Sequence, residues 1–228
     1  MDVAPITPQQ FADADGVGDW RVLYWGAHAF FRAASWEAGA RFVGSIAALE
    51  IVRRHEPDVD LRHEGVAVKL ITRDIRNLST RDLEVARAIS AVAREQGLVA
   101  DVAALQVVQT AIASPESAEV TPFWRAVLGY VPPNDTHLVD PLRRGSSVFL
   151  QPTDTVASGR GRMHVDVCVP HDEVHARIAA ALAAGGRMVD DSFAPEWWTL
   201  ADAENHKVDV TTWWGRESVR LEEQRAAN

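Results

Sequence analysis

Residues 50–91 read EIVRRHEPDVDLRHEGVAVKLITRDIRNLSTRDLEVARAISA, and along them the apolar positions change period. The first residues close a helix, and a polar turn follows at His55-Glu56-Pro57. Val66, Val68 and Leu70 then alternate with Ala67, Lys69 and Ile71, the period of a strand with one buried face. The strand ends at Thr72-Arg73-Asp74. Ser79 suits a helix cap, Asp82 occupies the third helical position in a variant capping box, and Leu78 with Leu83 can form the staple. Leu83, Ala86, Ile89 and Ala93 continue the apolar stripe until Gly97 stops it. Upstream, Thr7-Pro8 predicts a short helix start, residues 20–29 alternate as one or two strands, and Ser35 caps a helix reaching about Arg54. Val43, Ile46, Ala47 and Glu50 fall on one stripe of that helix.

The second half repeats itself. Residues 107–113 read as a strand, Ser114-Pro115-Glu116 as a helix start, and Gly129 as the helix end. The order returns with a strand over 163–169, Pro170, a helix through Ala184 and Gly185-Gly186. A shift of 55 residues carries Gln109 onto His164 and Pro115 onto Pro170, which implies two similar modules. Further strands are expected at 147–151, 197–201 and 207–212, the last two joined by a turn at Asp202-Ala203-Glu204-Asn205. Residues 143–162 read mostly as loop, and the chain from Arg216 onward as a charged tail.

Composition narrows the function classes. The 228 residues allow one large or two small domains, and 47% hydrophobic content allows a sizeable core. A net charge of -9 argues against nucleic acid and anionic lipid as partners, since both need a basic surface. No apolar run approaches the ~20 residues of a membrane span, and the start lacks a signal pattern. The lone Cys168 excludes an internal disulfide framework and points to a reducing cytoplasm; within an apolar strand it reads as a small buried residue.

His55-Glu56-Pro57, Thr72-Arg73-Asp74 and Leu78-Ser79-Thr80-Arg81-Asp82 together resemble pterin-4a-carbinolamine dehydratase, over roughly residues 6 to 98. That family's pattern is His-His-Pro, an aromatic residue, Thr-His and Leu-Thr/Ser-x-x-Asp, and the spacing fits without gaps. The resemblance implies an α+β fold, a helix and antiparallel-sheet domain. It also implies removal of water from 4a-hydroxytetrahydropterin by three histidines, with no cofactor required. Imidazole suits this because its pKa of ~6.5 lets it exchange protons near neutrality.

Carried over by position, the first histidine is His55, the second position holds Glu56, the third Arg73, and His63 stands at the aromatic. Arginine cannot act as a base, so Arg73 is expected to anchor substrate while His55 and Glu56 work as acid and base. A carboxylate replaces imidazole only where burial raises its pKa, and a nearby Arg73 would lower it. His63, Thr72, Asp82 and Glu50 complete the expected substrate-binding set. Plainer roles stay open: Asp82 as a cap alone, Glu50 as a solvent-facing carboxylate, Glu56 with Arg73 as an ion pair, and His63 as a solvated strand edge. So do two other functions: a repurposed lyase or cyclase of specialised metabolism using the same pocket, and a non-catalytic small-molecule-binding or assembly protein.

Phe123-Trp124-x-x-x-Leu128-Gly129-Tyr130, His164-Val165-Asp166 and Asp202-Ala203-Glu204-Asn205 resemble a glyoxalase-like domain of the vicinal oxygen chelate superfamily. That resemblance implies paired βαβββ modules and metal ligands on equivalent strands. The corresponding positions are Gln109, His164 and Asp209, with Gln151 a poorly aligned fourth, a set that would suit a divalent ion. The alternatives are a structural His164–Asp166 pair, or an apolar cleft lined by Trp197, Trp198 and Trp213 that takes a small organic molecule. The expected organisation is a dehydratase-like domain over 1–102, a glyoxalase-like domain over 103–216 and a tail over 217–228. Such a fusion, with alanine- and arginine-rich composition, resembles actinobacterial proteins. The first family's helix-mediated assembly implies a homo-oligomer, most simply a dimer, acting on a small-molecule substrate.

Overall fold

The computed structural model describes residues 4–115, 117–154, 163–201 and 207–214. They form two units. The first comprises residues 4–105 with Pro170–Glu173 and 213–214; the second comprises Gln106–Val169 and Val174–Thr212. Among the described residues no helix is long and apolar enough to cross a membrane.

The first unit begins with α1 (Pro8–Ala12), where the Thr7 side chain accepts from the Gln10 N–H and Gln10 accepts from the Thr7 N–H. β1 (Arg21–Leu23), β2 (Gly26–Arg32), α2 (Trp36–Ala48), β3 (Asp58–Arg62), β4 (Gly65–Leu70), α3 (Thr80–Glu95) and β5 (Val99–Ala100) follow. The strands pair antiparallel in the order β1-β2-β4-β3, with β5 also on β2. Phe31, Val66, Val68 and Leu70 from the sheet meet Phe42 and Ile46 of α2 and Val85 and Ile89 of α3 in one core. Gly65 closes the β3–β4 hairpin at φ +155°, where a Cβ would lie 2.2 Å from the Phe31 carbonyl oxygen.

Two expectations change here. The helix predicted to reach Arg54 stops at Ala48, and Leu49 turns extended at ψ 127°. Six further helical residues would place Val52 ~240° around the axis from Ile46, off the buried stripe. The break returns Val52 to the core, and a separate 3-10 turn covers Val52–Arg54. Glu50 therefore sits past the helix, exposed, with its carboxylate 3.7 Å from Arg54. The polar stretch after Pro57 is also strand, not turn alone. In β3 the charged Asp60 and Arg62 are exposed while Val59 and Leu61 pack on the core, the habit of an edge strand.

The second unit is two βαβββ modules. One is β6 (Val107–Ser114), α4 (Ser117–Leu128), β7 (Val131–Asn134), β8 (His137–Val139) and β9 (Ser147–Pro152). The other is β10 (Met163–Cys168), α5 (Val174–Ala183), β11 (Arg187–Asp190), β12 (Trp197–Ala201) and β13 (Lys207–Thr211). They join in one sheet, β11-β12-β13-β10-β6-β9-β8-β7, with β6 and β10 antiparallel at its centre. In each module the first strand lies parallel to the last, β6 with β9 and β10 with β13. β7 carries Pro132 and Pro133 and escaped the sequence pattern; as the terminal strand of the sheet it tolerates their missing N–H groups. Cys168 is fully buried. The turn expected at 202–205 and the tail over 217–228 lie outside the described residues.

The three tryptophans proposed to line one cleft each have contacts within their own unit. Trp197 stacks on Phe193 at 4.2 Å, and Trp198 is buried in the core of the second unit. Trp213 belongs to the first unit, edge-on to Tyr24 at 5.4 Å.

Candidate functional site

In the first unit three segments converge on Asp82. Ser79 caps α3, and the capping box draws the Asp82 carboxylate back over the helix start, where Oδ2 accepts from the Ser79 N–H at 2.7 Å. Thr72, at the end of β4, donates its hydroxyl to the same oxygen at 2.8 Å, and the Ser79 and Thr72 hydroxyls are 2.6 Å apart. The other oxygen, Oδ1, meets His55 Nε2 at 2.7 Å. Asp82 is fully buried and the His55 side chain is 10% exposed. Asp82 thus caps α3 and contacts His55 at the same time. A carboxylate only accepts, so the neutral ring carries its proton on Nε2 and presents Nδ1 as an acceptor. A histidine held this way can take a proton and return it.

The rest of the expected set disperses. Glu56 is exposed, and among the described residues it makes no ion pair with Arg73. Arg73 instead donates from Nη2 to Asp58 Oδ1 at 2.7 Å, with half its side chain in solvent. The structure therefore replaces the Glu56–Arg73 pair with Asp58–Arg73, because β3 brings Asp58 to the end of β4. His63 is exposed at the two-residue tip between β3 and β4. Glu50, as described, also faces solvent. His55, Thr72 and Asp82 are the expected residues that the fold brings together.

Sequence reasoning passed over His28. It lies on β2 between Arg21 of β1 and Lys69 of β4, its Nε2 3.2 Å from the Tyr24 carbonyl oxygen. Burial first, then Lys69, lowers its pKa to about 3. The alternation over 20–29 was the signal that placed it on a strand. Only the pairing with β1 and β4 surrounded it.

In the second unit the candidate centre lies across β10 and β13. His164 Nε2 is 3.3 Å from Asp166 Oδ1 and 3.4 Å from Asp209 Oδ2. Asp166 stands opposite Asp209 in the parallel pair and opposite Gln109 in the antiparallel one. The Thr199 hydroxyl donates to Asp209 Oδ1 at 2.6 Å. Asp166, with Asp209 adding to it, raises the His164 pKa above the ordinary imidazole value against the opposing effect of burial. Burial raises Asp209, opposed by the Thr199 hydroxyl and by His164. Gln109 is buried and donates from Nε2 to the Ser147 hydroxyl at 2.9 Å. The structure thus gathers His164 and Asp209 with Asp166, which was expected only as a structural partner.

The profile described as pterin 4 alpha carbinolamine dehydratase matches residues 4–92. Proteins of Chloroflexus aggregans and Chloroflexus aurantiacus, provisionally named pterin-4-alpha-carbinolamine dehydratases, are each 36% identical over 62 residues. The match covers 27% of this chain and 66% or 67% of those relatives, so the chain spans about two thirds of their length. The chain belongs to the pterin-4a-carbinolamine dehydratase family. Its second part is a glyoxalase-like domain, whose profile matches residues 109–211. Solved structures similar to this dehydratase–glyoxalase fusion include an NAD-dependent benzaldehyde dehydrogenase of Legionella pneumophila at 11% identity and TM-score 0.35, covering 46% of this chain and 97% of that one. A glyoxalase/bleomycin resistance protein/dioxygenase superfamily member of Vibrio splendidus shares 13% identity at TM-score 0.30, over 47% of this chain and 99% of its own.

Proposed function

We propose that the first unit is a hydro-lyase of the 4a-hydroxytetrahydropterin dehydratase type, with His55 as the group that moves the proton. The observation that carries this is the 2.7 Å contact between His55 Nε2 and the fully buried Asp82. Elimination of water takes one proton from the ring nitrogen and delivers one to the departing hydroxyl. An imidazole whose far nitrogen is fixed by a carboxylate can do both in turn. Asp82 holds the ring and Thr72 holds Asp82; Glu56 stands next in the chain as the partner acid and Arg73 as the substrate anchor. The purified chain should then speed dehydration of 4a-hydroxytetrahydropterin, and His55→Ala should lose at least tenfold, ~1.4 kcal/mol of barrier. A rate equal to buffer rejects this reading.

A second reading, a lyase or cyclase of specialised metabolism in the same pocket, is favoured by one feature. Glu56 and Arg73, which stand where the family's pattern has histidine, are turned to solvent and to Asp58. His55-dependent turnover of another hydroxylated heterocycle, with none of the pterin, would select it. For the glyoxalase-like unit we carry over a divalent ion, held through His164 and Asp209, which would polarise a bound oxygen. The half-buried nitrogen and oxygen donors there fit such an ion. We also carry over a homodimer in the cytoplasm acting on a small molecule, testable by sedimentation of the full chain.

A further inference from the structure

We propose that the ligands for the divalent ion in the second unit are His164, Asp166 and Asp209, and that Gln109 stands outside the set. This arrangement rests on the metal expectation just given for the glyoxalase-like unit and changes the atoms that meet it. His164 and Asp166 are two residues apart on β10 and so share a face of the sheet. Asp209 is the direct neighbour of Asp166 across the parallel β10–β13 pair. One donor atom from each residue lies within 4.8 Å of the others. Two separations, 3.3 Å and 3.4 Å, are already measured from His164 Nε2. Metal bonds of about 2.1 Å require ligand atoms about 3.0–3.4 Å apart, in octahedral or tetrahedral geometry, so those two separations need little adjustment.

Asp166 supplies the deciding observation. The residue is 6% exposed, and its Oδ1 is buried with no hydrogen-bond partner among the described residues. His164 Nε2, 3.3 Å away, meets this oxygen as an ion-pair contact and not as an aligned hydrogen bond. A buried carboxylate oxygen without a donor is costly, and a cation would supply what the protein withholds. By contrast, Asp82 in the first unit has donors on both oxygens.

Gln109 stands opposite Asp166 and on the same face of the sheet, but its amide is turned along the sheet and away from β10. Its amide is engaged with Ser147 on β9, the strand on the side of β6 away from β10. Asp209 is braced by Thr199 on Oδ1, which leaves Oδ2 toward His164. Lys207 is the cationic side chain whose charge acts on both His164 and Asp209, opposing an incoming ion. One imidazole and two carboxylates suit manganese(II), iron(II) or zinc(II).

The test uses the full chain, stripped with chelator and titrated separately with Mn2+ and Zn2+ by calorimetry. One ion per chain is expected, with Asp166→Asn weakening binding at least tenfold and Gln109→Ala changing it less than threefold. Loss in Gln109→Ala with retention in Asp166→Asn overturns this ligand set while leaving the metal expectation standing. No saturable uptake of either ion overturns both. If Asp166→Asn does not fold, a wild-type crystal soaked in MnCl2 locates the ion by anomalous scattering. A peak bonded to Asp166 supports the set, and a peak bonded to Gln109 or no peak overturns it.

Discussion

Each unit places a histidine beside a buried aspartate, and the two pairs differ in how the carboxylate is satisfied. Asp82 receives the Ser79 N–H, the Thr72 hydroxyl and His55, so both oxygens are occupied by the protein. Asp166 receives no hydrogen bond on Oδ1 among the described residues and shares its histidine with a second carboxylate, Asp209. The lesson concerns the donor count. A carboxylate saturated by its own fold can only orient the imidazole, whereas an unsaturated pair of carboxylates leaves negative charge for something outside the chain. On the readings proposed above, the first arrangement serves proton transfer and the second a cation.

The largest expected effect breaks the first pair. Asp82→Ala removes a helix cap and leaves His55, Thr72 and the Ser79 N–H without their acceptor. The first unit should lose about 3 kcal/mol, read as a lower urea midpoint. Asp166→Asn should cost far less, or even stabilise the metal-free chain, because it relieves a crowded carboxylate pair. Equal losses at the two positions would dissolve the contrast.

Next comes the ion itself. At a concentration a hundredfold above its dissociation constant it should stabilise the second unit by about 2.7 kcal/mol and leave the first unit's transition unmoved. Calorimetric scans with and without Mn2+ would show this as a shift in one of two transitions.

Acid and base should sort the units in opposite directions. His28 is neutral in the fold, with its pKa depressed to about 3 from an unfolded value of ~6.5. Below ~6.5 the unfolded chain gains a proton that the folded chain refuses. Stability is therefore full above ~6.5 and falls as pH drops toward 3. His164 has the opposite sign. Its folded pKa is raised, so its contribution is full below ~6.5 and disappears as pH rises through the raised value. Urea midpoints of chelator-treated protein across pH 4–9 would test both, with His28→Gln flattening the acid limb and His164→Gln the alkaline one.

The smallest effect is at the surface. Arg73→Ala breaks a half-exposed pair with Asp58 and should change stability by less than about 1 kcal/mol, whatever it does to substrate affinity. A larger loss would mean that the pair organises the end of β4 rather than decorating it.

The hydrophobic periods and the caps were legible because they are written within a few residues. Ser79 with Asp82, Thr7 with Pro8, and the alternation from Val66 to Leu70 each act over one turn or one strand, and the structure shows all three. The repeat of two modules was legible for the same reason, since its signal was a local pattern occurring twice. β3 was hidden because Asp58, Asp60 and Arg62 make an edge strand look like a turn. The partner of Arg73 was hidden along with β3, and those of Gln109 and Asp209 because each depends on register between strands far apart in the chain.

By itself the sequence determined the two families, the α+β class, the helix caps and the acidic charge that disfavours nucleic acid. Only the tertiary structure decided which oxygens face which histidines. Asp82 and Asp166 are the same side chain, and no neighbour in sequence separates a carboxylate filled with donors from one left short. That difference is set by strand pairing and burial, which assemble Thr72 and Ser79 around the first and Asp209 against the second.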